Sequence, residues 1–261
     1  MATETGLTGQ SSQVAENGTT GENPAFGRNR VQVTLLGGFH LAFGERDVSL
    51  PVGAQRLVAM LALRGRLSRS RTAGTLWPDT PEPRALASLR TGIWRVNQAA
   101  PNLVVSTSGQ VELDTRAQVD VRVLIARSVE IMRGGEMDVM TLSVGLSDGE
   151  LLPDWDDGWL GDERERLHQL RMHVLENVAE RLADAGQFGL AIEVALAVMR
   201  ADMLRESAHR VLVRVHLAEG NLNEARRAYS TCERVLHNEL GVAPTAAMRA
   251  LFAQRPPLLV R

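Results

Sequence analysis

The sequence predicts a mainly α protein with a small β part, in which an N-terminal winged helix-turn-helix is followed by an all-α, tetratricopeptide-like helical repeat domain. Three observations lead to this fold class. Two short helical patterns and a hairpin signature follow one another between residues 68 and 114. A stretch of alternating apolar residues precedes them, and a glycine-containing motif recurs at a fixed spacing near the C-terminus.

The N-terminal part of the chain is predicted to pass from a tail to a sheet and then to a helix. Residues 1–29 are rich in Gly, Thr, Ser and Asn with almost nothing to bury, which predicts a disordered tail. Apolar and polar residues alternate between residues 31 and 50, which predicts a small antiparallel sheet with His40 on its surface. Val52 to Arg66 then predicts an amphipathic helix with a basic C-terminal end.

Two further helices are predicted next. The first runs from Ser68 to Trp77, because Pro78 cannot continue it, and the second runs from about Glu82 to Ala99. At 3.6 residues per turn, the second helix has an apolar stripe on one side and two guanidinium groups with two hydroxyls on the other. The stripe consists of Leu86, Leu89, Ile93 and Val96, and the opposite face of Arg84, Ser88, Thr91 and Arg95.

Two apolar runs around a Ser-Gly turn predict a hairpin from Leu103 to Leu113. Helix, turn, helix and hairpin is the order of a winged helix-turn-helix, whose second helix enters the DNA major groove. We therefore expect the four residues of the outer face to lie in the major groove, where the arginines can pair with guanine and the hydroxyls can reach bases or phosphates. The residues expected to hold the DNA backbone and the register are Arg69, Arg71, Trp77, Arg90, Thr107 and Ser108.

Charge is unevenly distributed along the chain, although the formal net charge is only -2. Between residues 51 and 100, eight arginines stand against two acids. Between residues 105 and 166, six arginines stand against fourteen acids. A basic module joined to an acidic one is typical of a DNA-binding head with a protein-facing body.

Residue usage also excludes several chemistries. All 29 basic residues are arginine, so the chain lacks the lysine of a Walker A loop and the amine of a Schiff-base enzyme. The single cysteine, Cys232, is expected to be an inert helix residue. Five histidines without metal-ligand spacing are expected at the core edge or surface, namely His168, His173, His209, His216 and His237. We expect no catalytic residue, metal site or cofactor, and a cytoplasmic, nucleoid-associated protein without a membrane span.

Two helical patterns, Val119 to Met132 and Glu136 to Gly149, lead into an acidic stretch with two tryptophans. Trp155 and Trp159 are expected to pin an irregular loop onto the helical body rather than to form a ligand platform. The acids around them lack the spacing of a calcium loop or a glycosidase pair. The residues expected to be solvated or helix-capping are Asp154, Asp156, Asp157, Asp162 and Glu163.

The C-terminal half repeats itself. Gly186 aligns with Gly220, and Ala191 with Ala225, at an offset of 34 residues. This period, with a glycine before a small residue at the helix crossing, indicates tetratricopeptide-like helix pairs. Such pairs stack because none can bury its apolar face alone, and the stack offers a concave surface to another protein.

Several motifs occur together in the order found in one family of regulators. They are Leu76-Trp77-Pro78-Asp79, Ala87 to Thr91 followed by Trp94-Arg95, Gly149 to Pro153 with Trp159 and Glu163 to Leu167, Leu204 to Arg210, and Glu239 to Pro244. On these residues the chain resembles the SARP family of Streptomyces antibiotic regulatory proteins. The resemblance implies an OmpR-like winged helix at residues 30–116, a bacterial transcriptional activation domain at 117–252 and a tail at 253–261.

The resemblance further implies a transcription activator that binds direct repeats in promoters, as a monomer or as a dimer on DNA, and recruits RNA polymerase holoenzyme. Its targets would be secondary-metabolite genes, such as those for an antibiotic. The chain also resembles the small members of the family, which lack ATPase and sensor regions. Asn97 departs from the family pattern, which commonly has an arginine there, so one expected phosphate contact is missing.

Two other classes of function stay open from the sequence. In the first, the repeat surface binds a protein and the chain is an interaction scaffold, or it regulates a pathway unrelated to metabolite synthesis. Phosphate binding falls steeply with salt and repeat-surface binding much less, which separates a scaffold from a DNA-binding protein. In the second, the chain is an enzyme, which is the weakest reading because no nucleophile-base pair, metal cluster or phosphate loop is present.

Overall fold

The computed structural model describes residues 30–135 and 149–253. The predicted tail at residues 1–29, the helical pattern at residues 136–148 and the tail beyond residue 253 lie outside the described residues. The fold class is confirmed: a small β part with three helices is followed by helices in a repeat-like arrangement.

The first element is a four-stranded sheet in the order β3-β2-β1-β7. Its strands are β1 Val31–Thr34, β2 His40–Phe43, β3 Arg46–Asp47 and β7 Gln118–Val119. The predicted antiparallel sheet is confirmed, because β2 pairs antiparallel with both β1 and β3. His40 is exposed and lies 2.9 Å from the Asp47 carboxylate. For residues 117–123 the sequence predicts a strand or a helix entry, and the structure forms the strand β7 there, parallel to β1. Its neighbour Asp120 accepts hydrogen bonds from the amides of Leu35 and Leu36, at 2.8 and 2.9 Å, and so joins β7 to the end of β1.

Three helices and a second sheet complete the winged helix. They are α1 Val52–Arg64, α2 Arg69–Leu76, α3 Glu82–Ala99, β4 Leu67–Ser68, β5 Val104–Thr107 and β6 Gln110–Leu113. Ser68 caps α2 by accepting the Arg71 amide at 3.2 Å. The hairpin turns at Ser108 and Gly109, both with positive φ of 48° and 78°, as a tight two-residue turn requires. The predicted order of helix, turn, helix and hairpin is confirmed.

Beyond β7, the described chain is helical apart from residues 149–159 and the short connections between helices. The helices are α4 Asp120–Met132, α5 Leu160–Asp184, α6 Phe188–Ala201, α7 Glu206–Glu219, α8 Leu222–Leu240 and α9 Ala246–Ala253. The 34-residue repeat is visible in the structure, because Gly186 and Gly220 both take left-handed φ between paired helices. Ala191 and Ala225 are both completely buried, where small side chains let helices approach.

One apolar core joins the winged helix to the segment that follows it. The core under α1 to α3 also includes Val121 of α4, Leu152, and Leu160 and Leu167 of α5. The amide of Leu152 donates to the Leu35 carbonyl at 2.9 Å, so the acidic loop is tied to the end of β1. A second core lies between α5 and α9. The winged helix is therefore fastened to the start of the repeat domain by shared packing.

The two tryptophans of the acidic stretch are packing residues, as expected, but their partner is different from the one predicted. Trp155 stacks on Phe39 of the N-terminal sheet, with ring centroids 5.9 Å apart. Trp159 is buried, and the Arg64 guanidinium lies 5.6 Å from its ring centroid. Both rings thus pin the loop to the winged helix and not to the helical body.

Two of the acids expected to be solvated or helix-capping are largely buried ion-pair partners instead, and the prediction was wrong for them. Asp157 pairs with Arg56, and Glu163 accepts from the Arg64 Nε at 2.8 Å. Their side chains are only 12% and 11% exposed. The cause is tertiary: Arg64 and Glu163 lie 99 residues apart in sequence. Asp154, Asp156 and Asp162 are exposed as expected.

The motif from Leu204 to Arg210 fastens helices together. Arg205 donates to Glu176 of α5 at 2.6 Å, and the Ser207 hydroxyl donates to the same carboxylate at 2.5 Å. His209 is completely buried and lies 2.9 Å from the Met203 carbonyl through its Nε2, which corrects its expected place at the core edge or surface. This part of the family pattern therefore has a structural role in the repeat domain.

Candidate nucleic-acid interface

The predicted recognition helix, α3, has its expected bounds but is turned about its axis. Its most buried residues are Ala85, Leu89, Gly92 and Val96, whereas Leu86 and Ile93 of the predicted stripe are only partly buried. At 100° per residue, this displaces the buried stripe by about 50°. The small residues allow the rotation, because a Cβ on Gly92 would lie 3.4 Å from Leu57 of α1.

The rotation changes which residues lie at the centre of the exposed face. Arg84, Thr91 and Arg95 are exposed as predicted, but Ser88 is half-buried. The point opposite the buried stripe falls between Ala87 and Trp94, and the Trp94 side chain is 59% exposed. Sequence analysis assigned these two residues to a family motif and not to the site. The pair of small residues seven apart on the buried side was the signal that could have corrected the helical wheel.

Helix α2 and the wing supply the residues predicted to hold the DNA backbone, except Arg90, which is exposed on α3. Arg71 is exposed on α2, and Thr107 and Ser108 are exposed at the tip of the wing. Arg69 is tied to the wing twice, because its amide donates to the Gly109 carbonyl at 2.9 Å and its Nη1 donates to the Ser106 hydroxyl at 2.8 Å. Arg69 therefore fixes the wing relative to α2.

Trp77 lies at the C-terminal cap of α2 and is partly buried against the main core. Its indole approaches the start of α1, where a Cβ on Gly53 would lie 3.8 Å from the Trp77 ring. In this position the side chain packs the end of α2 onto α1. Because the indole is partly buried, only its exposed part is available for the predicted contact with a DNA backbone.

Asn97 has a structural role that sequence analysis missed. Its side-chain amide donates to the Val104 carbonyl at 2.9 Å, and its Oδ1 accepts the Val104 amide at 2.9 Å. The two bonds mimic a strand partner and attach β5 of the wing to the end of α3. The position that lacks an expected arginine thus carries a link between the two parts of the interface.

The arginines of the basic module fall into two groups. Arg56 and Arg64 pair with Asp157 and Glu163, and Arg66 pairs with Glu112 at 2.5 Å. The arginines of a second group have no carboxylate partner among the described residues, and we call them the free arginines. These are Arg71, Arg84, Arg90 and Arg95, all exposed on α2 and α3.

Carboxylates next to the wing are neutralised locally. The hydrogen bond from Arg66 lowers the pKa of Glu112, and the same bond raises the pKa of Arg66. The hydrogen bond from the Arg116 side chain lowers the pKa of Asp114 in the same way. Both acids stay ionised and paired near neutral pH, so they repel an approaching polyanion less than unpaired acids would.

In the described residues, the side chains that could bind a metal do not cluster, and the single cysteine is buried. No group of three or more His, Cys, Asp or Glu residues could hold a metal ion within residues 30–135 and 149–253. Cys232 is fully buried, and burial raises the pKa of its thiol to about 11, so the thiol stays protonated. In the same ranges, no helix is long and apolar enough to cross a membrane.

One open cleft of about 310 Å³ lies between α4, α5 and α7. It is lined by Met132, His173, Glu176, Asn177, Glu180, Ser207, Arg210 and Val211. Its two acids are already engaged, because Glu176 accepts from Arg205 and Ser207 and Glu180 pairs with Arg214 at 2.5 Å. The cleft walls are thus held by hydrogen bonds between helices.

Comparisons with known proteins agree with this geometry. Residues 137–254 match the bacterial transcriptional activator domain. The chain is 28% identical over 220 residues to the regulatory protein AfsR of Streptomyces coelicolor, covering 78% of this chain and 22% of the relative. It is 29% identical over 234 residues to AfsR of Streptomyces griseus, covering 85% of this chain and 24% of that protein. The chain thus spans less than a quarter of the length of these relatives.

The fold is also that of a solved structure, Mycobacterium tuberculosis EmbR in complex with a low-affinity phosphopeptide. The TM-score is 0.71 at 19% sequence identity, over 87% of this chain and 66% of that chain. A winged helix with a carboxylate-free basic face, fused to an activator domain, defines a transcriptional regulator. Together with the similarity to AfsR, the domain match supports a transcriptional activator of the SARP type.

Proposed function

We propose that this protein binds promoter DNA sequence-specifically, with α3 in the major groove and the wing on the neighbouring backbone. The observation that carries the proposal is the group of four free arginines on the exposed side of α2 and α3. Arginines next to these on the same module are paired with carboxylates, so the free ones are set apart by their environment. An exposed cationic face without acids suits a phosphate backbone.

Each predicted residue has a role in this complex. Arg84 and Arg95 form bidentate pairs with guanine edges, and Ser88 and Thr91 contact bases or phosphates beside them. The backbone is held by Arg71, Arg90, Thr107 and Ser108, while Arg69 and Trp77 fix the wing and α2 in position for it.

The helical repeat domain is proposed to recruit RNA polymerase holoenzyme. Support comes from the packing between α1 and the start of α5, where Arg64 donates to Glu163 and to the Trp159 carbonyl at 2.8 and 3.1 Å. These bonds hold the repeat domain in a fixed place relative to the DNA-binding face. We further propose that adjacent copies bind direct repeats and that the targets include secondary-metabolite genes, by analogy with the SARP family.

Genome-wide immunoprecipitation of the tagged protein, followed by footprinting on the most enriched site, tests this function. The expected result is enrichment at promoters and a footprint over two direct repeats. An Arg84→Ala/Arg95→Ala variant should lose the enrichment, whereas Arg226→Ala, an exposed arginine on α8, should keep it. Equal enrichment of the parent and the double variant would contradict DNA binding through α3.

Recruitment is tested separately by transcription in vitro from the enriched promoter with purified polymerase holoenzyme. The assay uses the full chain, and adding the protein should raise the number of transcripts. Occupancy of the promoter by footprinting without any rise in transcripts would contradict activation while leaving DNA binding intact.

A further inference from the structure

The centre of the exposed α3 face is apolar, although its edges are cationic. Of the described aromatic residues, Trp94 is the only one that is mostly exposed. Ala87 lies two helical turns before it on the same line and is also exposed. Trp94 thus lies at the point of α3 farthest from the core, and 59% of its side chain is exposed.

Thr91 lies between these two residues in sequence, about 50° around the helix from their line, and adds a methyl group beside it. Its hydroxyl donates to the Ala87 carbonyl at 3.1 Å, which is the usual way a helical threonine satisfies its hydroxyl. The hydroxyl proton is therefore directed along the helix, which leaves the γ-methyl exposed to a ligand beside the hydroxyl oxygen. We call Ala87, Thr91 and Trp94 the apolar strip.

The charges around the apolar strip determine what can cover it. Arg84 and Arg95 flank it on one side and Arg90 on the other, all exposed and without a carboxylate partner among the described residues. An apolar protein surface would leave these three charges desolvated, whereas duplex DNA supplies phosphates on both sides of a groove. Within the major groove, the apolar group that a base presents is the 5-methyl of thymine, and alanine and threonine methyls are its usual partners.

We propose that the apolar strip contacts thymine 5-methyl groups and makes the protein select thymine at the centre of each half-site, between guanines contacted by Arg84 and Arg95. The inference rests on the proposed DNA binding and deepens it, because it assigns base selection to the apolar groups of Ala87, Thr91 and Trp94 in addition to hydrogen bonds. Burying one methyl group changes affinity by about fourfold.

The test uses the footprinted site in versions where single thymines are replaced by deoxyuridine, which removes the 5-methyl and keeps every hydrogen bond. The expected result is a loss of about fourfold in affinity at one or two central positions and no loss elsewhere. Thr91→Ser, which keeps the hydroxyl and removes the methyl, should abolish the thymine preference at one of these positions. Thr91→Val, which keeps the methyl, should retain it.

Trp94→Ala should abolish the preference at a second position, and Leu240→Ala, an equally exposed apolar truncation on α8, should change nothing. Tight binding that is indifferent to the 5-methyl at every position overturns the proposal. So does a Trp94→Ala variant that weakens thymine and uracil sites equally, since the indole then packs on the sugar-phosphate backbone. Absence of binding to any promoter fragment would instead overturn the proposed function itself.

Discussion

The C-terminal end of α1 and the exposed face of α3 carry the same charged residue in opposite settings. Arg64 on α1 is 21% exposed, bonded to Glu163 and placed over the Trp159 ring. Arg95 on α3 is exposed and has no carboxylate partner among the described residues. The first holds two parts of the protein together, and the second is available to a ligand. A count of charges along the sequence treats them as equal.

Substitutions in the two groups of arginines are therefore expected to change different quantities, stability for the paired group and DNA affinity for the free group. Removing a paired arginine leaves a carboxylate largely buried without its partner, which lowers the free energy of unfolding. Removing a free arginine leaves the folded protein nearly unchanged and lowers affinity for DNA.

Arg64→Ala is expected to lower the free energy of unfolding by about 3 kcal/mol, because Glu163 loses its main partner while it stays largely buried. Urea denaturation followed by circular dichroism measures the change. Arg226→Ala on α8 is the matched control and should stay within about 0.5 kcal/mol of the parent. If Arg64→Ala also stays that close, the pair does not hold the two parts together.

Arg95→Ala is expected to weaken binding to the operator by about 1 to 3 kcal/mol and to relax specificity at one base pair, because a bidentate contact with guanine is lost. Its urea midpoint should equal that of the parent. Titration by fluorescence anisotropy against the operator and its single-base variants gives both quantities. A variant with the affinity and specificity of the parent would remove Arg95 from the interface.

Asn97→Ala is expected to lower the free energy of unfolding by about 1 to 2 kcal/mol, because the buried Val104 amide and carbonyl both lose their partner. Hydrogen exchange at the Val104 amide should become faster, while exchange in α8 stays the same. Unchanged protection at Val104 would show that Asn97 does not hold the wing.

Glu112→Gln is expected to have the smallest effect on the free energy of unfolding, and only at pH values where Glu112 is ionised. Since the Arg66 hydrogen bond lowers the pKa of Glu112 in the folded protein, the pair contributes stability above the unfolded pKa of about 4.3. That contribution is lost as the pH falls through the folded pKa. The difference in urea midpoint between the parent and the variant should therefore shrink from pH 7 to pH 3. A difference that is constant with pH would contradict the pairing.

Local signals explain what could be predicted from the sequence. The bounds of α2 and α3 follow from Ser68, Pro78 and the apolar period, which act within a few residues of each helix end. The repeat was predictable for the same reason, since Gly186 and Gly220 each end a helix by a backbone conformation that favours glycine.

Long-range contacts explain what could not be predicted. The partners of Asp157 and Glu163 lie on α1, about a hundred residues earlier, and no local pattern marks them. The rotation of α3 depends on how closely Gly92 approaches Leu57, which is a property of packing between helices. For this reason the sequence predicted the bounds of α3 but not the residues at the centre of its exposed face.

The dependence of operator affinity on salt concentration tests the central claim most directly, namely that the free arginines bind DNA phosphates and bases. Affinity is measured between low and moderate salt for the parent, Arg71→Ala and Arg226→Ala. For the parent, log affinity should fall steeply as log salt rises. The slope should be smaller by about one for Arg71→Ala and unchanged for Arg226→Ala. A nearly flat slope for the parent, or the same slope for all three proteins, would contradict the account.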